Sequence, residues 1–192
     1  PEGVSDFTVT SDHYHHYEED VKLFAEMGLK SYRFSIAWTR IIPDGDGEIN
    51  QAGIDFYHRL IDALIAHNIE PIITMYHFDL PKALDDKGGW ENRATVDAFE
   101  RFAKVLFAEY GSKVTYWLTI NEQNIMVLAG EIIGTVKPGS PRRAVYQANH
   151  HMLLAQAKAM IACHETLPDA KIGPAPNIGL AYPATCNPEN VL

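Results

Sequence analysis

Cysteine is nearly absent. The 192 residues hold two, Cys163 and Cys186, far apart and in no metal-type spacing. That argues against a disulfide framework or a thiolate metal cluster, and both are expected to be free thiols. Long apolar runs are missing as well. No stretch approaches the roughly 20 residues needed to cross a bilayer, and the start Pro1-Glu2-Gly3-Val4 lacks the basic and apolar regions of a secretion signal, so no membrane association and a cytoplasmic location are expected. Positive charge is scarce: 16 Lys and Arg against 25 Asp and Glu leave a formal net charge of -9. That disfavours nucleic acid, whose binding rests on neutralising phosphates, yet permits a small anion in a local basic pocket. No Gly-x-Gly-x-x-Gly turn or P-loop is present. Nor does either end, Pro1 or Asn190-Val191-Leu192 after Asn187-Pro188, read as a natural terminus.

What is there is a globular composition, 46% apolar and 10% aromatic, with no linker or charge block, so one domain over 1–192 with a sizeable core is expected. Val21, Phe24, Ala25 and Met27 lie in a helical segment with Ser11-Asp12 before it and Gly28 as its stop. Ser31 to Trp38 reads as a strand, with Tyr32, Phe34 and Ile36 alternating against Arg33 and Ser35. Pro43 to Gly47 is a loop and Asn50 a cap for a helix whose stripe is Ile54, Tyr57, Leu60, Ile61, Leu64 and Ile65. Ile69 to Tyr76 is a near-continuous apolar run, as in a strand covered on both faces. Phe99, Phe102, Ala103, Leu106, Phe107 and Tyr110 mark a third helix closed by Gly111. Val114 to Ile120 is a third strand. After a loop with Gly134, Pro138 and Gly139, Ser140-Pro141 starts a helix carrying Val145, Ala148, Met152, Ala155 and Ala159. Lys171 to Asn177 is a fourth strand. Alternation of this kind implies an α/β fold with a parallel sheet. An open doubly wound sheet fits the pattern. A (β/α)8 barrel fits better, because three strands end in polar residues that could converge.

The chemistry centres on the third of those strands. It ends in Asn121-Glu122-Gln123-Asn124, placing a carboxylic acid at a strand's carboxyl end, where α/β folds gather ligand-binding side chains. Capping of the following helix would also suit these residues, and spacing alone does not choose.

Four segments in order carry a resemblance: Tyr32-Arg33-Phe34-Ser35-Ile36-Ala37-Trp38, Ile69-Glu70-Pro71 leading to Tyr76-His77-Phe78-Asp79-Leu80-Pro81, Gly89-Trp90-Glu91-Asn92-Arg93, and Thr119-Ile120-Asn121-Glu122. Over nearly the whole chain they resemble successive motifs of glycoside hydrolase family 1, the retaining β-glucosidases and 6-phospho-β-glucosidases. The resemblance implies a (β/α)8 TIM barrel of which about half, the second to fifth strands, is present. Retaining enzymes use two carboxyl groups roughly 5 Å apart, one acid and one nucleophile. By resemblance Glu122 is the acid/base, Asn121 the hydrogen-bond partner of the sugar 2-hydroxyl, His77 a sugar-hydroxyl donor, and Arg33 the support of the nucleophile. Asn177 is a weaker candidate for substrate binding. For His77 and Arg33 the plain alternatives are a backbone-satisfied histidine and a structural ion pair. Trp38 and Trp90 are expected to pack rather than to stack on sugar.

Two departures bear on substrate. Phe78 stands where many members have Trp, and Gln123 where many plain β-glucosidases have Pro. Asn121-Glu122-Gln123-Asn124 with Tyr182-Pro183-Ala184-Thr185 is more similar to the 6-phospho branch. The expected substrate is therefore a 6-phospho-β-glucoside, with a free β-glucoside or β-galactoside as the alternative. No Thr/Ser-Glu-Asn-Gly-like string follows the fourth strand, so the family nucleophile is expected outside this chain. Asp79 and Glu131 are its nearest substitutes, the first reading as structural beside Pro81 and the second lying in a loop. A chain with half the barrel and one of two carboxylates is expected to be inactive alone and to self-associate, or to need its missing half. Two rival readings remain: a metal site at His13-Tyr14-His15-His16, set aside because no clear strand precedes it, and a non-catalytic sugar-binding protein, against which the intact Glu122 weighs. No cofactor is expected.

Overall fold

The computed structural model describes residues 9–133, 135–179 and 182–191. The Pro1-Glu2-Gly3-Val4 start, Gly134 and Leu192 lie outside them. In chain order the elements are α1 (His13–Glu26), β1 (Ser31–Ser35), α2 (Trp38–Ile41), α3 (Gln51–Ala66), β2 (Glu70–Tyr76), α4 (Lys82–Asp85), a 3-10 turn (Gly89–Glu91), α5 (Ala94–Tyr110), β3 (Tyr116–Asn121), α6 (Ile125–Ala129), α7 (Arg142–Thr166), β4 (Lys171–Ala175) and α8 (Pro188–Val191). Among the described residues, no helix is long and apolar enough to cross a membrane.

The glycine stop of α1 is made as its sequence suggests. Gly28 takes φ 79, its N–H reaches Ala25 O at 2.9 Å and that of Leu29 reaches Phe24 O at 3.1 Å, closing the last carbonyls of the helix. The polar residues ahead of the helices act differently from the caps expected. The Asp12 carboxylate turns to His15 Nδ1 at 2.7 Å. Asn50 precedes α3, but its amide donates to Arg40 O at 3.0 Å. Gly111 closes α5 in ordinary helical conformation, φ -60.

The four strands form one sheet in the order β1-β2-β3-β4, every pair parallel. This is half of a (β/α)8 barrel. One face packs on the helices: Phe34 stacks on Tyr57 of α3 at 6.3 Å, and Trp117 meets Phe107 of α5 edge-on at 5.2 Å. Ile73 and Met75 of β2 are fully buried. On β1, Ser31, Arg33 and Ser35 alternate with these inward residues and are exposed, so Arg33 belongs to the face that would line a barrel.

β1 stops at Ser35, short of the expected Trp38. Trp38 opens α2 and is fully buried, stacked on Phe102 at 5.0 Å, with its indole N–H on Gly45 O at 3.0 Å. Trp90 is 1% exposed and donates to the Tyr76 hydroxyl at 3.2 Å. Both tryptophans are packing residues, each worth about 3–5 kcal/mol against truncation to alanine. β3 begins at Tyr116 rather than Val114, whose N–H still closes α5 on Tyr110 O at 3.0 Å. β4 ends at Ala175, because the next residue, Pro176, supplies no N–H to a ladder. Asn177 therefore lies beyond the strand and not on it.

Candidate active site

The carboxyl ends of β1, β2 and β3 bring Arg33, Thr74, His77 and Asn121 into one hydrogen-bonded chain. Arg33 Nε donates to Thr74 Oγ1 at 2.9 Å and Arg33 Nη2 to Asn121 Oδ1 at 2.6 Å. Asn121 Nδ2 lies 3.0 Å from His77 Nε2. A guanidinium only donates, so Asn121 must turn its oxygen to Arg33 and its NH2 the other way. Its amide, 4% exposed, is thus oriented with a donor edge on the His77 side. His77 itself is exposed.

Glu122 leaves the strand sharply. It takes φ 46, uncommon for a residue with a side chain, and its N–H donates to Ala175 O of β4 at 2.8 Å. The half-buried side chain accepts from Asn177 Nδ2 through Oε1 at 2.9 Å. Asn177 is gripped in turn by Asn124: Asn177 N–H donates to Asn124 Oδ1 at 2.9 Å, and Asn124 Nδ2 to Asn177 O at 2.7 Å. So Arg33, His77 and Asn121 form one group, Glu122 and Asn177 another, joined through the adjacent backbone of Asn121 and Glu122.

The two substitute carboxylates are otherwise engaged. Asp79 accepts His77 N–H through Oδ1 and Trp38 N–H through Oδ2, each at 3.1 Å, tying the ends of β1 and β2 together. Glu131 Oε1 accepts Gly139 N–H at 3.1 Å. Between His77 and Asp79, Phe78 adopts φ 68 and sets its ring edge-on to His77 at 5.3 Å. Gln123 Nε2 bonds Asn149 Oδ1 of α7, and Tyr182 is 83% exposed. Burial pushes the phenols of Tyr76 and Tyr57 up from their ordinary values. Both therefore stay neutral, and the Tyr57 hydroxyl accepts Ala37 N–H at 2.8 Å just beyond β1.

His13 and His15 are each paired with a carboxylate, Asp20 and Asp12. Among the described residues no three of His, Cys, Asp and Glu come together as metal ligands. Thr74 and the Ala175 carbonyl are the site partners that sequence reasoning missed. Thr74 carried one signal, a lone hydroxyl in an apolar run; the carbonyl carried none.

Residues 2–192 match the sequence pattern of glycosyl hydrolase family 1. The chain is 47% identical over 186 residues to an aryl-phospho-beta-D-glucosidase of Bacillus subtilis, covering 96% of this chain and 39% of that protein. It is 47% identical over 192 residues to a 6-phospho-beta-glucosidase of Dickeya chrysanthemi, covering 99% and 41%. Among solved structures, the family 1 β-glucosidase of Thermotoga maritima in complex with glucoimidazole superposes with a TM-score of 0.87 at 42% identity, over 94% of this chain and 41% of that one. The chain thus spans about two fifths of the length of these relatives. On the sequence match and the half-barrel together, it belongs to glycosyl hydrolase family 1.

Proposed function

We propose that the complete protein cleaves β-glucosides with retention of configuration, 6-phospho-β-glucosides by preference, and that Glu122 is its acid/base. The observation that carries this reading is the pair of linked groups at the strand ends: a carboxyl group held by Asn177, beside an amide whose donor edge is oriented by Arg33. In the proposed mechanism Asn121 Nδ2 donates to the sugar 2-hydroxyl, a contact that strengthens as positive charge develops on the sugar ring. His77 binds a neighbouring hydroxyl, and the protonated Glu122 delivers its proton to the departing oxygen. Arg33 acts through Asn121 here, and in this reading its positive charge keeps the nucleophile ionised. Asp79 and Glu131 serve as acceptors for backbone N–H groups, which supports a nucleophilic carboxylate from outside this chain. By itself the chain should then be inactive and should associate through the open edges of β1 and β4, which sedimentation would detect.

The 6-phospho preference rests on the Gln123-Asn124 string and on the names of relatives. A β-glucosidase A of Acetivibrio thermocellus is nearly as similar, 46% identical, so overall similarity does not select the substrate. Proton NMR of the first-formed sugar tests retention, which requires the β-anomer; an α-anomer rejects it. Hydrolysis of a nitrophenyl β-glucoside beside its 6-phosphate tests the preference, and equal or faster turnover of the unphosphorylated substrate rejects it.

A further inference from the structure

We propose that Asn124 is a positioning residue that decides which oxygen of Glu122 carries the catalytic proton. The inference rests on the reading of Glu122 as the acid. Both polar atoms of the Asn124 amide are spent on the backbone of a single residue, Asn177: Oδ1 on its N–H at 2.9 Å and Nδ2 on its carbonyl at 2.7 Å. The pairing is reciprocal and admits one amide orientation. Asn177 needs such a grip. It is exposed and lies beyond the end of β4, directly after Pro176, which has no N–H to give. With its backbone held, the Asn177 side chain donates to Glu122 Oε1 at 2.9 Å. The N–H of Glu122 is anchored two residues upstream, on Ala175 O at 2.8 Å. The result is a closed ring running from Glu122 through Gln123 to the Asn124 side chain, across to Asn177 and back to the Glu122 carboxyl.

The ring has a chemical consequence. An amide N–H bonds the carbonyl oxygen of a protonated carboxyl more strongly than its hydroxyl oxygen, so Asn177 Nδ2 favours the state in which Oε1 is the carbonyl oxygen when Glu122 is protonated. The acid proton then sits on Oε2, the oxygen left to meet the leaving group. If Asn177 drifts, the proton is free to sit on either oxygen and the carboxyl to rotate, and proton delivery loses its alignment. The role assigned to Asn124 is therefore internal. It differs from that of a residue reading the 6-phosphate, although it belongs to the same four-residue string.

The test uses the complete enzyme and aryl glucosides whose leaving phenols are activated or poor. Asn124→Ala should lower kcat about tenfold on the poor leaving group, equivalent to about 1.4 kcal/mol of barrier, and leave release of the first equivalent of an activated phenol, which needs little protonation, near its wild-type rate. Asn177→Ala should do the same, and the double variant should be no worse than Asn177→Ala alone, because both act through one bond. The preference for phosphorylated over unphosphorylated glucoside should not change. Asn124→Asp, which keeps the acceptor for Asn177 N–H and loses the donor, should fall between wild type and Asn124→Ala, and covers the case in which the alanine variant does not fold. Equal losses on both leaving groups, fully additive losses in the double variant, or a changed phosphate preference with unchanged leaving-group dependence would each overturn the proposal. Glu122→Gln separates the two levels. If, in release of the first equivalent, it loses the poor leaving group selectively while Asn124→Ala does not, the positioning role fails and the acid assignment stands; if Glu122→Gln shows no selectivity in that release, the acid assignment itself fails.

Discussion

Gly53 in the first turn of α3 is a position where one methyl group should cost more than helix propensity returns. A Cβ there would lie 1.8 Å from Arg40 O, 2.7 Å from Arg40 C and 3.0 Å from Arg40 Cγ. Nonbonded carbon contacts settle near 3.5 Å, so the carbonyl would have to retreat by about 1.7 Å. It cannot do so freely, since it accepts the Asn50 amide at 3.0 Å and belongs to α2, whose Trp38 is fully buried. Alanine gains at most about 1 kcal/mol over glycine in a helix. Against that stand about 1–3 kcal/mol for overpacking and about 1 kcal/mol for the loosened Asn50 bond. Gly53→Ala should therefore destabilise by about 2 kcal/mol. The displacement would also reach the site, because Trp38 N–H holds Asp79, which holds the backbone of His77. Gly28→Ala is the control: nothing lies within 4 Å of its added methyl, and only the left-handed backbone, about 1–2 kcal/mol, opposes it. Urea midpoints of the two variants make the comparison. A Gly53→Ala protein as stable as wild type would refute the close approach of α2 and α3.

Arg33→Met should reduce kcat/KM of the complete enzyme by about tenfold to a hundredfold, the size expected for losing a charge-assisted hydrogen bond at a reacting centre. Arg33→Lys should not restore it, because an ammonium cannot span Thr74 and Asn121 with two fixed donors; a lysine variant with wild-type kinetics would contradict the network. On the opposite side of the sheet, Lys158 of α7 bridges Asp97 and Glu100 of α5 at 2.7 and 2.6 Å, and Lys158→Met should cost about 0.5 kcal/mol at neutral pH. Hydrogen bonds from Lys104 and Lys158 hold the Glu100 carboxyl below its usual range. This contribution is therefore present above the ordinary carboxylate value and lost as pH falls through the lowered one. Unfolding midpoints of variant and wild type should converge in acid, and a gap that persists there would refute the ion-pair origin.

The elements legible in the sequence were those whose periodicity is produced by burial. Ile54, Leu60, Ile61 and Leu64 mark α3 because its inner face is dry, and Ile69 to Tyr76 marks β2 because both its faces are largely covered. The short α2, α4 and α6 gave no such signal: four or five residues cannot show a helical period. Asn50 and Asp12 mimic caps, and their true partners, the Arg40 carbonyl and His15, are fixed by tertiary geometry and by rotamer. At the site, the polar ends of β2 and β3 mark His77 and Glu122 from the residues alone, whereas Arg33, in the middle of β1, and the roles of all four, Asn121 included, are legible only through the family resemblance. Asn177 reads as the end of a strand, yet β4 stops at Ala175 and Asn177 reaches Glu122 from beyond Pro176. Its link to Asn124 spans 53 positions, and no local pattern encodes a contact of that range.

The central claim is that Glu122 is the proton donor, and kinetics of Glu122→Gln in the complete enzyme test it most directly. With an alcohol or unactivated phenol as leaving group, turnover should be abolished. With an activated phenol, the first equivalent should still be released at close to the wild-type rate. A uniform loss across leaving groups, or none at all, would contradict the assignment.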